Sequence, residues 1–106
     1  MAYSTITKPS LYFNTKLYTG SNSVRTETGV GFQPDWVWIK DRTQSGHNHN
    51  LIDAVRAAPN ILMSDSTAAQ ITDSTDGLTA FTSDGFSLGA NTTGTQSQEL
   101  NKNGNT

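Results

Sequence analysis

The chain contains no cysteine, so neither disulfides nor thiolate metal sites can contribute to its stability. Charge is almost as scarce, at 15% of residues with a net of -2. The basic residues Lys8, Lys16, Arg25, Lys40, Arg42, Arg56 and Lys102 are scattered along the chain. Nothing in this distribution offers the clustered basic footprint that nucleic acid demands. No apolar run approaches 18 residues, which excludes a spanning helix. No charged-then-apolar leader opens the sequence, and synthesis in a cytosol is expected. Only 33% of residues are hydrophobic, a modest supply for a core at this length. Packing must be economical, or assembly with other chains must add to it.

Ser, Thr, Asn and Gly fill the gap and make up 45 of the 106 residues. Thr favours strands, while Gly, Asn and Ser favour turns, so the balance predicts many short strands and little helix. The most informative stretch is Gly29 to Lys40. Pro34 fixes its own φ and pushes Gln33 toward extended geometry, which makes Gln33-Pro34-Asp35 a corner. Trp36-Val37-Trp38-Ile39 then alternates as a strand. All four side chains are large and apolar, and both faces are expected to meet protein. Further strands are predicted at Leu11 to Thr19, Val24 to Thr28, Leu51 to Val55 and Asn60 to Ser64. Ser64 to Gly77 is expected to be a surface excursion anchored by Ala68, Ala69 and Ile71. Leu78 to Gly89 forms a hairpin if Asp84-Gly85 is a two-residue turn, with Phe81 opposite Leu88.

This pattern predicts an all-β chain, an antiparallel β-sandwich with jelly-roll-like connections and extended termini. Residues 1–10 read as an extended arm, 11–90 as the sandwich, and 91–106 as a polar C-terminal segment that could lead into further chain. Both ends have too few apolar groups to order themselves. Phe32, Trp36, Trp38, Ile39, Val55, Phe81, Phe86 and Leu88 are expected in the core, where Trp38→Ala would cost roughly 3 to 5 kcal/mol.

Chemistry-bearing constellations are weak. His47 and His49 would face the same way on a strand, as two metal ligands must, but they lie in a polar loop with no third ligand fixed nearby. Asp65, Asp73, Asp76 and Asp84 lack the spacing and closing Glu of a calcium loop. Asp53 interrupts an apolar stretch and is expected to pair with an arginine such as Arg56 or Arg42. No Gly-x-Ser-x-Gly elbow surrounds a serine. Gly29-Val30-Gly31 leads into a strand, so no nucleotide loop is present. Trp36 and Trp38, with Tyr12 and Tyr18, have the ring chemistry of a sugar-stacking platform, although a core role for both tryptophans fits their apolar neighbours better. No catalytic residue, metal or cofactor is assigned.

Gly31-Phe32-Gln33-Pro34-Asp35-Trp36-Val37-Trp38-Ile39-Lys40, Leu51-Ile52-Asp53-Ala54-Val55-Arg56 and Leu78-Thr79-Ala80-Phe81 with Ser83-Asp84-Gly85-Phe86-Ser87-Leu88-Gly89 resemble the repeated domain of tail-fibre and other virion structural proteins of marine bacteriophages. Met1 to Ile6 and Tyr12 to Gly20 resemble the amino-terminal start of such proteins. Two departures stand out. The family usually has Gly after the Val-Arg pair, where this chain has Ala57, and it usually closes with a Trp-rich strand beyond the position of Thr106. The resemblance implies a non-enzymatic virion part made in the host cytoplasm, a tail fibre or appendage domain for particle attachment and host recognition. Partners would be other virion proteins and further copies, a trimer being common in fibres, with host-surface glycan as a possible contact and neither nucleic acid nor membrane insertion involved. A capsid or tail decoration protein is the alternative within that class. From another class, the alternative is a carbohydrate-binding or polysaccharide-degrading domain.

Overall fold

The computed structural model describes residues 5–92 and 99–106. Seven strands fall into two antiparallel sheets. The first is three-stranded, with β1 (Arg25–Glu27) beside β7 (Gly85–Leu88) and β7 beside β6 (Leu78–Thr82). The second orders β2 (Trp36–Ile39), β3 (Asn50–Asp53), β4 (Asn60–Met63) and β5 (Ile71–Thr72) as a meander. Ile39, Ile52 and Ile61 from this sheet meet Leu78, Phe86 and Leu88 from the other, with Leu100 added, in one buried cluster. Two apolar inner faces on a shared core make the chain an all-β sandwich. A meander does not by itself supply the crossed connections of a jelly roll.

Strand alternation decides which residues reach that core. Along β2, Val37 is half-buried and Ile39 buried, whereas Trp36 and Trp38 are 51% and 55% exposed. The expectation that both tryptophans are core is therefore corrected: they share the outer face of the sheet, above Asp53 and Leu51 of β3. Val55 is corrected too. It lies beyond the end of β3 in a turn and is 95% exposed. Phe32 is half-buried and Phe81 packs on the rim of the core, while Ile39, Phe86 and Leu88 are buried as expected. Ala68 and Ala69 are exposed and anchor nothing.

The β6–β7 hairpin forms, but two residues out of the expected register. Phe81 faces Phe86 and Thr82 faces Gly85, so the turn is Ser83-Asp84. From Ala80 to Thr82 the even shift keeps each side chain on its predicted face, and a bulge between Leu78 and Ala80 then turns Leu78 into the core. The cause of the shift lies outside the hairpin. Asp84 accepts hydrogen bonds from the Gly29 and Gly31 N–H groups at 2.9 and 2.7 Å, and its carbonyl accepts one from Val30. Gly85 is thereby freed to pass closely over Glu27 as a strand residue. The two Gly N–H bonds hold the Asp84 carboxyl below its ordinary pKa, outweighing an opposing desolvation, and Lys16 adds a lesser downward pull. A depressed carboxylate contributes stability that is present above the unfolded-state value and is lost as pH falls through the folded one. Asp84→Asn should therefore weaken the loss of stability on acidification below about pH 4, read from unfolding midpoints along a pH series.

Leu11 to Thr19 is not a strand. A short 3-10 turn, η1 (Pro9–Leu11), precedes a run without regular structure that is held from Asn14 to Tyr18 through side chains. Asn14 Nδ2 donates to the Val30 carbonyl, Lys16 Nζ to that of Thr28, and the Tyr18 hydroxyl to that of Leu100. Burial, reinforced by Glu27 and opposed by Arg25, raises the Tyr18 pKa and keeps that hydroxyl a donor.

The C-terminal segment is the largest departure from expectation. Glu99, Leu100, Asn101 and Asn105 are all buried. Apolar area does not hold them, since Leu100 is the one large apolar residue there; asparagine side chains do. Asn101 accepts from Ser21 N–H at 3.0 Å and donates to the carbonyls of Ser23 and Gly89 at 2.6 and 2.7 Å. Gly20 bridges to Asn103 in parallel, and Asn105 Nδ2 donates to Asp41 Oδ2 at 2.7 Å. The segment clips the loop before β1 to the loop after β2. The part of the expected polar tail at 93–98 and the first four residues of the expected arm lie outside the described residues.

At Ala57 the backbone has φ +64°, in the left-handed region. A Cβ there costs roughly 1–2 kcal/mol, of which glycine's extra unfolded-state freedom takes back about 0.4–1. Ala57→Gly is expected to raise stability by roughly 0.5 kcal/mol in denaturant titration.

Candidate functional site

A groove of about 650 Å³ runs beside β2. Its position follows from the topology: β2 is the end of the four-stranded sheet, and no described strand lies beyond it. One wall is β2 with Phe32 and Pro34 of the corner; the other is the run from Leu11 to Tyr18. Large apolar side chains along it stay in solvent: Leu11 is 50% exposed, Tyr12 64%, Phe13 68% and Leu17 70%, beside the two half-exposed tryptophans. Monomeric proteins seldom leave such a patch uncovered unless something binds it.

The backbone at the groove has a definite polarity. Ala54 N–H bonds to the Asp35 carbonyl at 2.8 Å, which makes 35 and 54 a hydrogen-bonded pair in the antiparallel β2–β3 ladder. Such pairs alternate. Val37 and Ile39 therefore direct their backbone groups to β3, and Trp36 and Trp38 direct theirs to the free edge.

The tryptophan side chains form a short ladder on the outer face. Trp36 and Trp38 meet edge to face with centroids 6.0 Å apart, and Trp38 lies 5.6 Å from the His49 ring. The Trp38 indole N–H donates to His49 Nδ1 at 3.0 Å. Asp53 sits beside Trp36 across the strands and forms an ion pair with Arg56 at 2.5 Å, the arginine partner expected from sequence. The Arg56 backbone and side-chain N–H bonds lower the Asp53 pKa. Because the rings are half in water, Trp38→Ala in the isolated chain should cost about 1 kcal/mol, not the several expected for a core ring. Guanidinium titration checks this, and collisional quenching of the tryptophan fluorescence should be strong in the single chain.

At its inner end the groove turns polar. His47 is buried, with Nδ1 2.7 Å from Asp41 Oδ2 and Nε2 3.5 Å from Glu99 Oε2, while Lys102 Nζ reaches Glu99 at 2.8 Å. Burial would raise the Asp41 pKa, but hydrogen bonds from Thr43, Asn105 and Gln44 and the neighbouring His47 outweigh it, and the net shift is downward. The two histidines are separated: His47 joins this cluster, and His49 joins the tryptophan ladder. Among the described residues, no group of three His, Cys, Asp or Glu side chains is placed to hold a metal ion. Glu99 and Asn105, which complete the cluster, had no local sequence signal, because a polar tail identifies its partners only once folded. Asp73 caps the turn at Thr75 and Asp76, and Asp65 accepts from the His49 N–H, so these acids are local fasteners.

Fold and groove together define a class, a small two-sheet β-domain with an uncovered aromatic edge. The chain belongs to the family described as Domain of unknown function (DUF7483), which matches residues 8–106. No curated protein and no solved structure matches it.

Proposed function

We propose that this chain is an assembly domain of a bacteriophage virion, a tail-fibre or appendage component that attaches to the particle and takes part in host recognition. The observation that carries the reading is the open groove beside β2, where four aromatic and two leucine side chains stay half or more exposed in a chain with few apolar residues to spare. A protein with so small an apolar supply gains from keeping rings outside only if another surface covers them. The sequence resemblance to virion structural proteins supplies the setting, and fibres of that kind are commonly trimers. On this reading the domain is not an enzyme: it contributes contacts, and its polar cluster of Asp41, His47 and Glu99 fastens the C-terminal segment. Electron microscopy of virus particles labelled with antibody against the chain tests the setting. Label on the fibres or tail supports it; particles that carry none of this chain would overturn it.

A second reading is favoured by the Trp36–Trp38–His49 ladder. Half-exposed indoles flanked by Asp53, Arg56 and His49 match the stacking and hydrogen-bonding chemistry of sugar recognition. Glycan binding lost in Trp36→Ala would place host-surface contact here. A glycan array blank for the wild-type chain would remove this reading.

A further inference from the structure

Beyond the 3-10 turn at Pro9–Leu11, the run from Phe13 to Thr19 belongs to no helix or strand, and among the described residues no backbone group from Asn14 to Thr19 bonds to another backbone group. Across the groove, β2 is a sheet edge with outward-facing N–H and C=O groups at Trp36 and Trp38 and no strand to receive them. The chain's own segment is tied to the opposite wall, through Asn14 to Val30, Lys16 to Thr28 and Tyr18 to Leu100, and these ties hold its backbone off β2.

We infer that residues 13–17 of a second copy of this chain add to the free edge of β2 as a fifth strand. This rests on the assembly reading above and names the partner. Unpaired edges are ready templates for strand addition, in which backbone bonds give affinity and alternate side chains give specificity. The period-2 order of a donor strand would fit: Phe13, Thr15 and Leu17 would fall on one side, Asn14 and Lys16 on the other. Area argues for a partner of this size. An aromatic side chain presents about 150–250 Å², so Tyr12, Phe13, Trp36 and Trp38 at their observed exposures offer on the order of 500 Å². Leu11 and Leu17 add to this, and the sum over the two sides of one contact stays below the roughly 1,200 Å² total of a standard interface, the range of weak, concentration-dependent association. Because donor and acceptor are different surfaces, the contact is head-to-tail, and a rotation that closes makes a ring of copies.

Amide hydrogen exchange on the full chain, at dilute and at high concentration and with sedimentation run in parallel, tests this. The expected result is that the Trp36 and Trp38 amides slow at least tenfold as the mass rises, and that Phe13→Asp or Leu17→Asp abolishes both changes. Both positions are about two-thirds exposed, so these variants should keep the monomer's circular dichroism. Edge amides protected equally at every concentration would mean that the chain's own segment closes on β2, which overturns the exchange. Concentration-dependent mass with fast Trp36 and Trp38 amides would mean assembly through another surface, which sinks strand donation while sparing the assembly reading. A monomer at all concentrations with fast edge amides would remove both.

Discussion

Gly85→Ala is expected to cost on the order of 3 kcal/mol or more, with a fall of roughly 15 °C in melting temperature. A Cβ on Gly85 would stand 1.9 Å from the Glu27 carbonyl oxygen and 2.9 Å from its carbon. Both atoms are backbone of β1, so no side-chain rotation relieves the contact. Either β1 leaves β7, or the hairpin gives up the Asp84 bonds that fix its turn. Gly46→Ala is the control. It has a left-handed φ of +85° but nothing within 4 Å of an added Cβ, so only the conformational penalty of about 1–2 kcal/mol applies, less the roughly 0.4–1 that the stiffer unfolded chain returns. Calorimetry of the pair separates the two causes, and equal melting temperatures would contradict the close approach of β1 and β7.

Asn101→Ala should have the second large effect, roughly 2 to 4 kcal/mol. The side chain is fully buried and makes three bonds, to Ser21, Ser23 and Gly89, that join the loop before β1, the end of β7 and the C-terminal segment. Alanine removes all three and leaves buried backbone groups without partners, each costing about 1–3 kcal/mol less whatever water can reach them. Asn101→Asp should fare no better, because a carboxylate cannot donate to two carbonyl oxygens. Limited proteolysis adds a local readout: the variants should be cut near residue 100 before the sheets unfold. Wild-type resistance there would show that Tyr18 and Asn105 suffice to hold the segment.

These two residues show where the sequence was legible. Trp36–Ile39 is a strand as its alternation predicts, and the hairpin lies where Leu78 to Gly89 places it. Both signals are local. Asp84-Gly85 was read as a turn because that dipeptide favours one; the structure uses Asp84 to grip Gly29 and Gly31 and Gly85 to clear Glu27. Contacts some 55 residues apart decided the register, and no window of sequence contains them. Asn101 illustrates the same limit in a polar guise. Hydropathy predicts a tail that cannot order itself, whereas its asparagines are satisfied by carbonyls and N–H groups that only the folded loops present.

The tryptophans were misplaced for a different reason. Composition treats a large apolar side chain as core, but alternation says only that Trp36 and Trp38 share a face. It does not say which face the core occupies. Ile52 and Ile61 pack with Ile39 and so put the core on the other side. The groove that results combines a run of backbone without backbone partners among the described residues with the most exposed aromatic rings. That coincidence is the physical basis for reading the domain as one that is completed by other chains.

Sedimentation velocity of the wild-type chain across a wide concentration series tests that claim most directly. The account predicts a mass that starts at the 11.4 kDa of one chain and rises with concentration to a discrete multiple of it, accompanied by a blue shift of tryptophan emission as the groove is covered. A single 11.4 kDa species at every concentration, with emission unchanged, would contradict it.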